Sequence, residues 1–206
     1  MLLEGRVGSK RGGAVAEVGL SKDGSSLVVA QATGKYTEAA RAGGVYFGFY
    51  TLAAAPVIFG TEAGQSGVLW NPPDSGVDVA ILLWSFAQRV AATTAGNLGI
   101  ATYPGQDLQP TTATAAAATG PALVGYGRSK AEFTGVGTVL GPESSFLPLA
   151  GIMTGAITTT AVSTVVVDVG GAIILPPGTA AAVASCSTDP VAARGEIAVL
   201  WQELAR

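Results

Sequence analysis

The sequence contains no histidine and a single cysteine, Cys186. Without histidine there is no Ser-His-Asp triad, no Cys-His pair, no His-ligated zinc and no commonest general base. One cysteine cannot form an internal disulfide, a Cys-rich zinc site or an iron–sulfur site. Cys186 therefore reads as a small buried hydrophobe rather than a reactive thiol. Charge is also scarce: charged residues make up 12% of the chain, against an ordinary share of about 25%. An Ala-rich, GC-rich genome would produce such a composition. So would a surface partly buried against other subunits, because obligate interfaces are depleted in charge.

Other absences narrow the class further. No apolar run reaches the roughly 18–20 residues of a membrane helix, so no membrane partner is expected. The N-terminal Met-Leu-Leu-Glu lacks the basic region and apolar core of a signal peptide, so a free-standing secreted protein is not expected. High hydrophobicity with a net charge of only −3 argues against disorder. The weak acidic balance argues against nucleic acid as the main partner. Cations are unevenly spread, though. Arg6, Lys10, Arg11, Lys22, Lys35 and Arg41 are six of the eleven, and a basic arm there could touch an acidic surface.

The fourteen carboxylates are scattered. Asp74 and Asp78 are the closest pair, on a loop and the strand that leaves it. They lack the dense Asp/Asn spacing of a calcium loop and form no convincing acid/base pair for glycoside hydrolysis. Glu196 and Glu203 flank the last strand as solvent or interface residues. Gly5-Arg6-Val7-Gly8-Ser9-Lys10 is not a phosphate-binding loop, since its spacing is wrong and no strand–helix context surrounds it. Gly135-Val136-Gly137 lacks the third glycine of a dinucleotide fingerprint. No catalytic residue, metal ligand or cofactor is assigned, and the chain is read as non-enzymatic.

What the chain does have is punctuation. Gly (29 residues) and Pro (11 residues) cut it into short segments, the rhythm of an all-β sandwich or barrel. Residues 1–43 are the more polar part and read as an arm with two short strands, Ala14–Leu20 and Ser26–Gln31, around the turn Lys22-Asp23-Gly24. Residues 44–206 read as the sandwich domain. Its strands are expected at Val45–Tyr50, Val57–Gly60, Gly67–Trp70, Val77–Arg89 with a bulge near Ser85, and Asn97–Tyr103. Further strands are expected at Leu123–Tyr126, Gly135–Leu140, Phe146–Gly151, Thr164–Val169, Gly171–Leu175, Thr179–Ala184 and Glu196–Leu204, with Thr158-Thr159-Thr160 extending one of them. The Thr/Ala stretch Gln109–Thr119 reads as a loop, with at most one helical turn. Val165-Val166-Val167 reads as buried, Gly170-Gly171 as a turn, and Trp201 as a core plug. Of Tyr46, Phe47, Phe49 and Tyr50, alternation sends two inward and leaves two for a neighbour.

Three stretches together resemble structural proteins of tailed bacteriophages. The first runs from Leu20-Ser21-Lys22-Asp23-Gly24 through Gly43-Gly44-Val45-Tyr46. The second is Leu69-Trp70-Asn71-Pro72-Pro73-Asp74-Ser75-Gly76-Val77-Asp78-Val79. The third is Gly171-Ala172-Ile173-Ile174-Leu175-Pro176-Pro177-Gly178-Thr179, with Leu200-Trp201-Gln202-Glu203 at the end. The resemblance implies a jelly-roll-like β-sandwich, commonly trimeric, that decorates or cements a phage head. Its partners would be itself and the major capsid protein or other virion subunits. Its location would be the virion, assembled in the host cytoplasm. The alternative it implies is a head- or tail-fibre module that binds a host glycan or receptor, with Trp70 or Tyr103 exposed in a concave site. A polysaccharide-degrading enzyme is a third class, which the missing carboxylate pair argues against.

Overall fold

Segments with period-two alternation and many Val, Ile, Thr and aromatic residues form strands because their side chains pack on a pleated surface. The computed structural model describes residues 35–51, 65–90, 96–108, 111–112, 118–138, 145–152, 163–185 and 194–206, and the strands Val18–Leu20 and Leu27–Val29. In chain order the elements begin with β1 (Val18–Leu20), β2 (Leu27–Val29), α1 (Thr37–Arg41), β3 (Val45–Thr51), β4 (Gln65–Asn71), β5 (Val77–Val90) and β6 (Gly96–Tyr103). They continue with β7 (Thr111–Thr112), β8 (Ala118–Pro121), β9 (Glu132–Thr138), β10 (Ser145–Ile152), β11 (Ser163–Leu175), β12 (Thr179–Ser185) and β13 (Arg194–Ala205).

Two sheets form the body, in the orders β10-β6-β12-β4-β9-β7 and β11-β5-β13-β3-β8. The pairing is nested: β3 with β13, β4 with β12, β5 with β11, and β6 with β10, all antiparallel. β13 also pairs with β5, and β12 with β6. A folded-over hairpin whose successive pairs alternate between two sheets is a jelly roll. The chain is therefore an all-β sandwich of the type its sequence pattern implies. The connection from β6 to β10 carries β7, β8 and β9. β8 extends one sheet beside β3, and β9 extends the other beside β4.

The core lies between the sheets. Trp84, Ile81, Ile197, Val199 and Trp201 from one sheet meet Leu69, Ile100, Phe133 and Val183 from the other. Tyr46 stacks on Trp201 with ring centroids 6.2 Å apart. Burying each large apolar side chain contributes about 1.5–3 kcal/mol. On β5 the inward residues are Val77, Val79 and Ile81, then Trp84 and Phe86. The parity changes at Leu82, where the register with β13 slips: Leu200 faces Leu83 but Trp201 faces Ile81. One extra residue turns both apolar runs inward.

Several sequence expectations are corrected. The β5 bulge is at Leu82, not near Ser85. Leu123–Tyr126 is a turn with a hydrogen bond from Tyr126 N–H to the Leu123 carbonyl (3.1 Å), not a strand. Gly170-Gly171 lies inside β11 as an irregularity rather than turning the chain. Val166 is 59% exposed because it points to the outer face of the sheet, while Val165 and Val167 are half-buried, so Val165–Val167 is not a buried triplet. The Thr/Ala stretch read as a loop supplies β7 and the start of β8. Within the arm, β1 and β2 fall inside the two expected strands and pair antiparallel, while residues 37–41 are helical. The expected strands at Val57–Gly60 and Thr158–Thr160, the loop Gly5–Lys10 and Cys186 lie outside the described residues.

Sheet-to-sheet contact is close at Gly48 on β3. A Cβ there would lie 2.5 Å from the ring of Phe133, itself 4% exposed. Gly48→Ala is expected to destabilise the fold by about 1–3 kcal/mol through overpacking. Urea unfolding would show a lower midpoint with an unchanged m-value; an unchanged midpoint would contradict the packing described.

Candidate functional site

The residues with the richest chemistry in the sequence are dispersed in space. Asp78 pairs with Arg206 at 3.0 Å, and Glu196 with Arg89 at 3.3 Å. Glu203 Oε1 accepts the backbone N–H groups of Lys130 (2.7 Å) and Ala131 (3.0 Å) and the hydroxyl of Ser129 (2.6 Å). Asp74 stays exposed in the loop between β4 and β5. Among the described residues no three acidic or cysteine side chains come together.

Trp70 and Tyr103, expected as exposed platforms, are buried at 6% and 1% exposure. The outer face of the six-stranded sheet carries a second apolar cluster, and both rings belong to it with Val68, Ala101, Ala180 and Ala182. The Trp70 indole N–H donates to the Gln106 carbonyl at 2.8 Å. Neither ring can stack on a sugar as a free face.

The two Pro-rich turns that stand out in the sequence meet at one end of the sandwich. The buried Asn71 amide donates to the carbonyls of Val77 (2.9 Å) and Leu175 (2.8 Å). Gly178 N–H donates back to the Asn71 carbonyl at 2.8 Å, and Gln106 N–H donates to the Gly178 carbonyl at 2.7 Å. Asn71 thus ties three loops together. Asn71→Ala leaves two buried carbonyls without that donor and is expected to cost about 1–3 kcal/mol. Chemical denaturation is the measurement, and a variant as stable as the parent would remove this role.

The outer face of the five-stranded sheet differs from the other surfaces. Register places Phe47, Leu200, Leu83 and Asp168 in one row. The next row is Phe49, Ala198, Ser85 and Val166. Phe47 is 44% and Phe49 39% exposed, while Leu200, Leu83, Ala198 and Ser85 are half-buried. These are the two aromatics expected to face a neighbour. Among the described residues, charge on this face sits at its margins, as the Asp168–Lys35, Glu196–Arg89 and Asp78–Arg206 pairs.

At one of those margins the segment before β3 is fastened to the sandwich. Lys35 Nζ lies 2.7 Å from Asp168 Oδ2, and the Tyr36 hydroxyl donates to Asp168 Oδ1 and approaches the Leu82 carbonyl at 3.3 Å. Leu82 is the bulged residue, so the bulge leaves a carbonyl for the tyrosine. Hydrogen bonds from Lys35 and then Tyr36 hold the Asp168 carboxyl below its ordinary value. A carboxylate whose folded pKa is depressed contributes stability above its unfolded pKa and loses it as pH falls through the folded one. The fastening is therefore expected to weaken below about pH 4. Hydrogen exchange of the Lys35–Gly43 amides, corrected for intrinsic rates, should accelerate between pH 6 and pH 3 relative to core strands. Equal protection at both values would contradict the fastening.

Two clefts lie at opposite side edges. One of about 720 Å³ sits beside β8 and β9 and includes Thr119, Arg128, Ser129, Glu132 and Phe133. The other, of about 320 Å³, lies beside β10 and β11 and is lined mainly by apolar residues, among them Ile173, Ile174 and Pro176. Comparison with family models, curated proteins and solved structures finds no match for this chain. The surfaces themselves then carry the functional argument. The sequence signalled Phe47 and Phe49 by alternation. It carried no local signal for the Lys35–Tyr36–Asp168 fastening, whose partners are more than 130 residues apart.

Proposed function

We propose that this chain is a non-enzymatic virion structural protein, a decoration or cement subunit that stabilises a phage head as a homotrimer. The observation that carries the reading is the apolar outer face of the five-stranded sheet, where the charges among the described residues sit at the rim. Exposed aromatic and aliphatic side chains with charge only at the rim are the pattern of an interface core. In a chain with so few charges, the face is placed to lie on an apolar, charge-poor area of the major capsid protein. Many such subunits on a shell add stability through repeated contacts. The resemblance of the turn and terminal motifs to phage structural proteins supports the same reading, as does the jelly-roll sandwich. On this reading the protein resides in the virion after assembly in the host cytoplasm and needs no cofactor.

Replacing Phe47 and Phe49 together by Glu puts two carboxylates on that face. The double variant is expected to keep its far-UV circular dichroism and lose co-sedimentation with empty capsids by at least tenfold. Capsid binding equal to that of the parent would remove the face from the interface. Failure of the parent itself to co-sediment would remove the cement role.

The mixed polar lining of the cleft beside β8 and β9 favours one second reading, a fibre module that binds a host glycan. Binding of the isolated protein on a glycan array, with no capsid binding, would decide for it.

A further inference from the structure

Four ion pairs among the described residues engage Lys35, Arg41, Arg89 and Arg206 with Asp168, Glu38, Glu196 and Asp78. Arg128 and Lys130 enter none of them, nor do Asp74 and Asp107. These two cations and two anions are not mixed on the surface. Both cations lie in the loop between β8 and β9. Both anions lie where the loops after β4 and β6 meet the turn after β11. A Cβ at Gly178 in that turn would stand 3.1 Å from the Asp107 carboxylate and 3.9 Å from Pro73, the neighbour of Asp74.

The loop with the cations is an apolar projection held in shape from below. Val124 at its tip is 94% exposed, and Leu123 and Tyr126 are exposed beside it. Gly125, at φ +85°, permits the tight turn closed by Tyr126 N–H and the Leu123 carbonyl. One foot is fixed by Ala122 N–H donating to the Val45 carbonyl at 2.8 Å. The other foot is fixed by Ser129, Lys130 and Ala131 on Glu203. The Tyr126 ring lies where a side chain at position 43 would be, so Gly43 makes room for it. A projection fixed in this way loses little entropy when it is buried.

The cleft of about 320 Å³ beside β10 and β11 is a fitting receptor, lined by Tyr103, Pro104, Ile173, Ile174, Leu175 and Pro176 among others. Ile174 is 53% exposed at its mouth. The turn carrying Pro176 is the one that Asp107 and the Asp74 loop adjoin, so the apolar cleft has an acidic border. Projection and cleft also lie at the same height on opposite side edges. One ladder row runs Ile173, Ile81, Trp201, Tyr46, Pro121, from the cleft to the first foot of the loop. In the other sheet Ser145, Thr102, Ala181, Leu69 and Phe133 make a continuous row from β10 to β9. Five strands set the two features on the order of 20 Å apart.

We propose that the Leu123–Tyr126 loop of one copy seats in the β10–β11 cleft of the next, with Arg128 and Lys130 facing Asp107 and Asp74. The contact is heterologous. It closes as a ring when the rotation from one copy to the next divides a full turn, which the proposed trimer requires. This rests on the self-assembly in the reading above and supplies its geometry. It uses side edges and leaves the sheet face free for the capsid.

The test is solution mass by light scattering, with circular dichroism to verify folding. The parent is expected as a trimer. Val124→Asp, at a site too exposed to disturb the fold, should raise the trimer's apparent dissociation constant at least tenfold. The pair Arg128→Glu with Lys130→Glu should do the same, as should Asp74→Lys with Asp107→Lys. Combining all four reversals should restore the trimer. A monomeric parent would overturn both the self-assembly reading and this interface. An oligomeric parent whose folded variants keep the parental mass would overturn the interface alone. So would a quadruple variant that folds but stays dissociated.

Discussion

β13 is hydrogen-bonded along both sides, to β3 and to β5, and carries Ile197, Val199 and Trp201 into the core. The sandwich depends on this double pairing. β3 begins the sandwich in sequence and β13 ends it, so the strand at the centre of one sheet arrives last. Closing that sheet requires contacts across about 150 residues, and such non-local pairing costs loop entropy before it returns burial. The return is the stack of Tyr46 on Trp201 and the two buried tryptophans between the sheets. Glu203, two residues beyond Trp201, then holds the loop between β8 and β9. One strand thus organises the core and positions a surface feature.

The irregularities are where the fold connects to its surfaces. The extra residue at Leu82 keeps two apolar runs of β5 facing inward despite a change of parity. The same bulge exposes a carbonyl to Tyr36 and sits beside Asp168, so the segment before β3 is fastened there. On β11 the Gly170-Gly171 irregularity interrupts an edge strand of thirteen residues, and interrupting an exposed edge limits open-ended pairing with other chains. Pro148 does similar work on β10, the edge of the other sheet, because it has no N–H to offer. The aromatic sheet face, the Val124 projection and the Ile174 cleft offer association through side chains instead of through those two edges.

Much of this was legible in the sequence wherever a local rule applied. Alternation located β3, β5 and β13 and divided Tyr46 and Tyr50 from Phe47 and Phe49. Asn-Pro-Pro-Asp-Ser-Gly and Pro-Pro-Gly marked turns by their restricted backbones. A bulge in β5 was legible but misplaced near Ser85; the change of parity between Val77, Val79 and Ile81 and the pair Trp84 and Phe86 sets it at Leu82. Reading Val165–Val167 as buried failed because alternation turns Val166 to the outer face and its neighbours toward the core. Reading Trp70 and Tyr103 as exposed failed because alternation separates two faces of a sheet but does not say that both are covered. Reading Leu123–Tyr126 as a strand failed because Gly125 accepts a positive φ that a strand does not use.

By itself the sequence determined the class of the molecule: an all-β chain, poor in charge, without histidine and with one thiol, because composition and period-two patterning act residue by residue. Only the tertiary structure decided which surfaces exist. The nesting of the strand pairs brings Asn71 to Leu175, Asp168 to Lys35, and the Arg128–Lys130 and Asp74–Asp107 charges to opposite edges. Those juxtapositions depend on strand order and register, which arise from long-range pairing and leave no mark on any short stretch of chain.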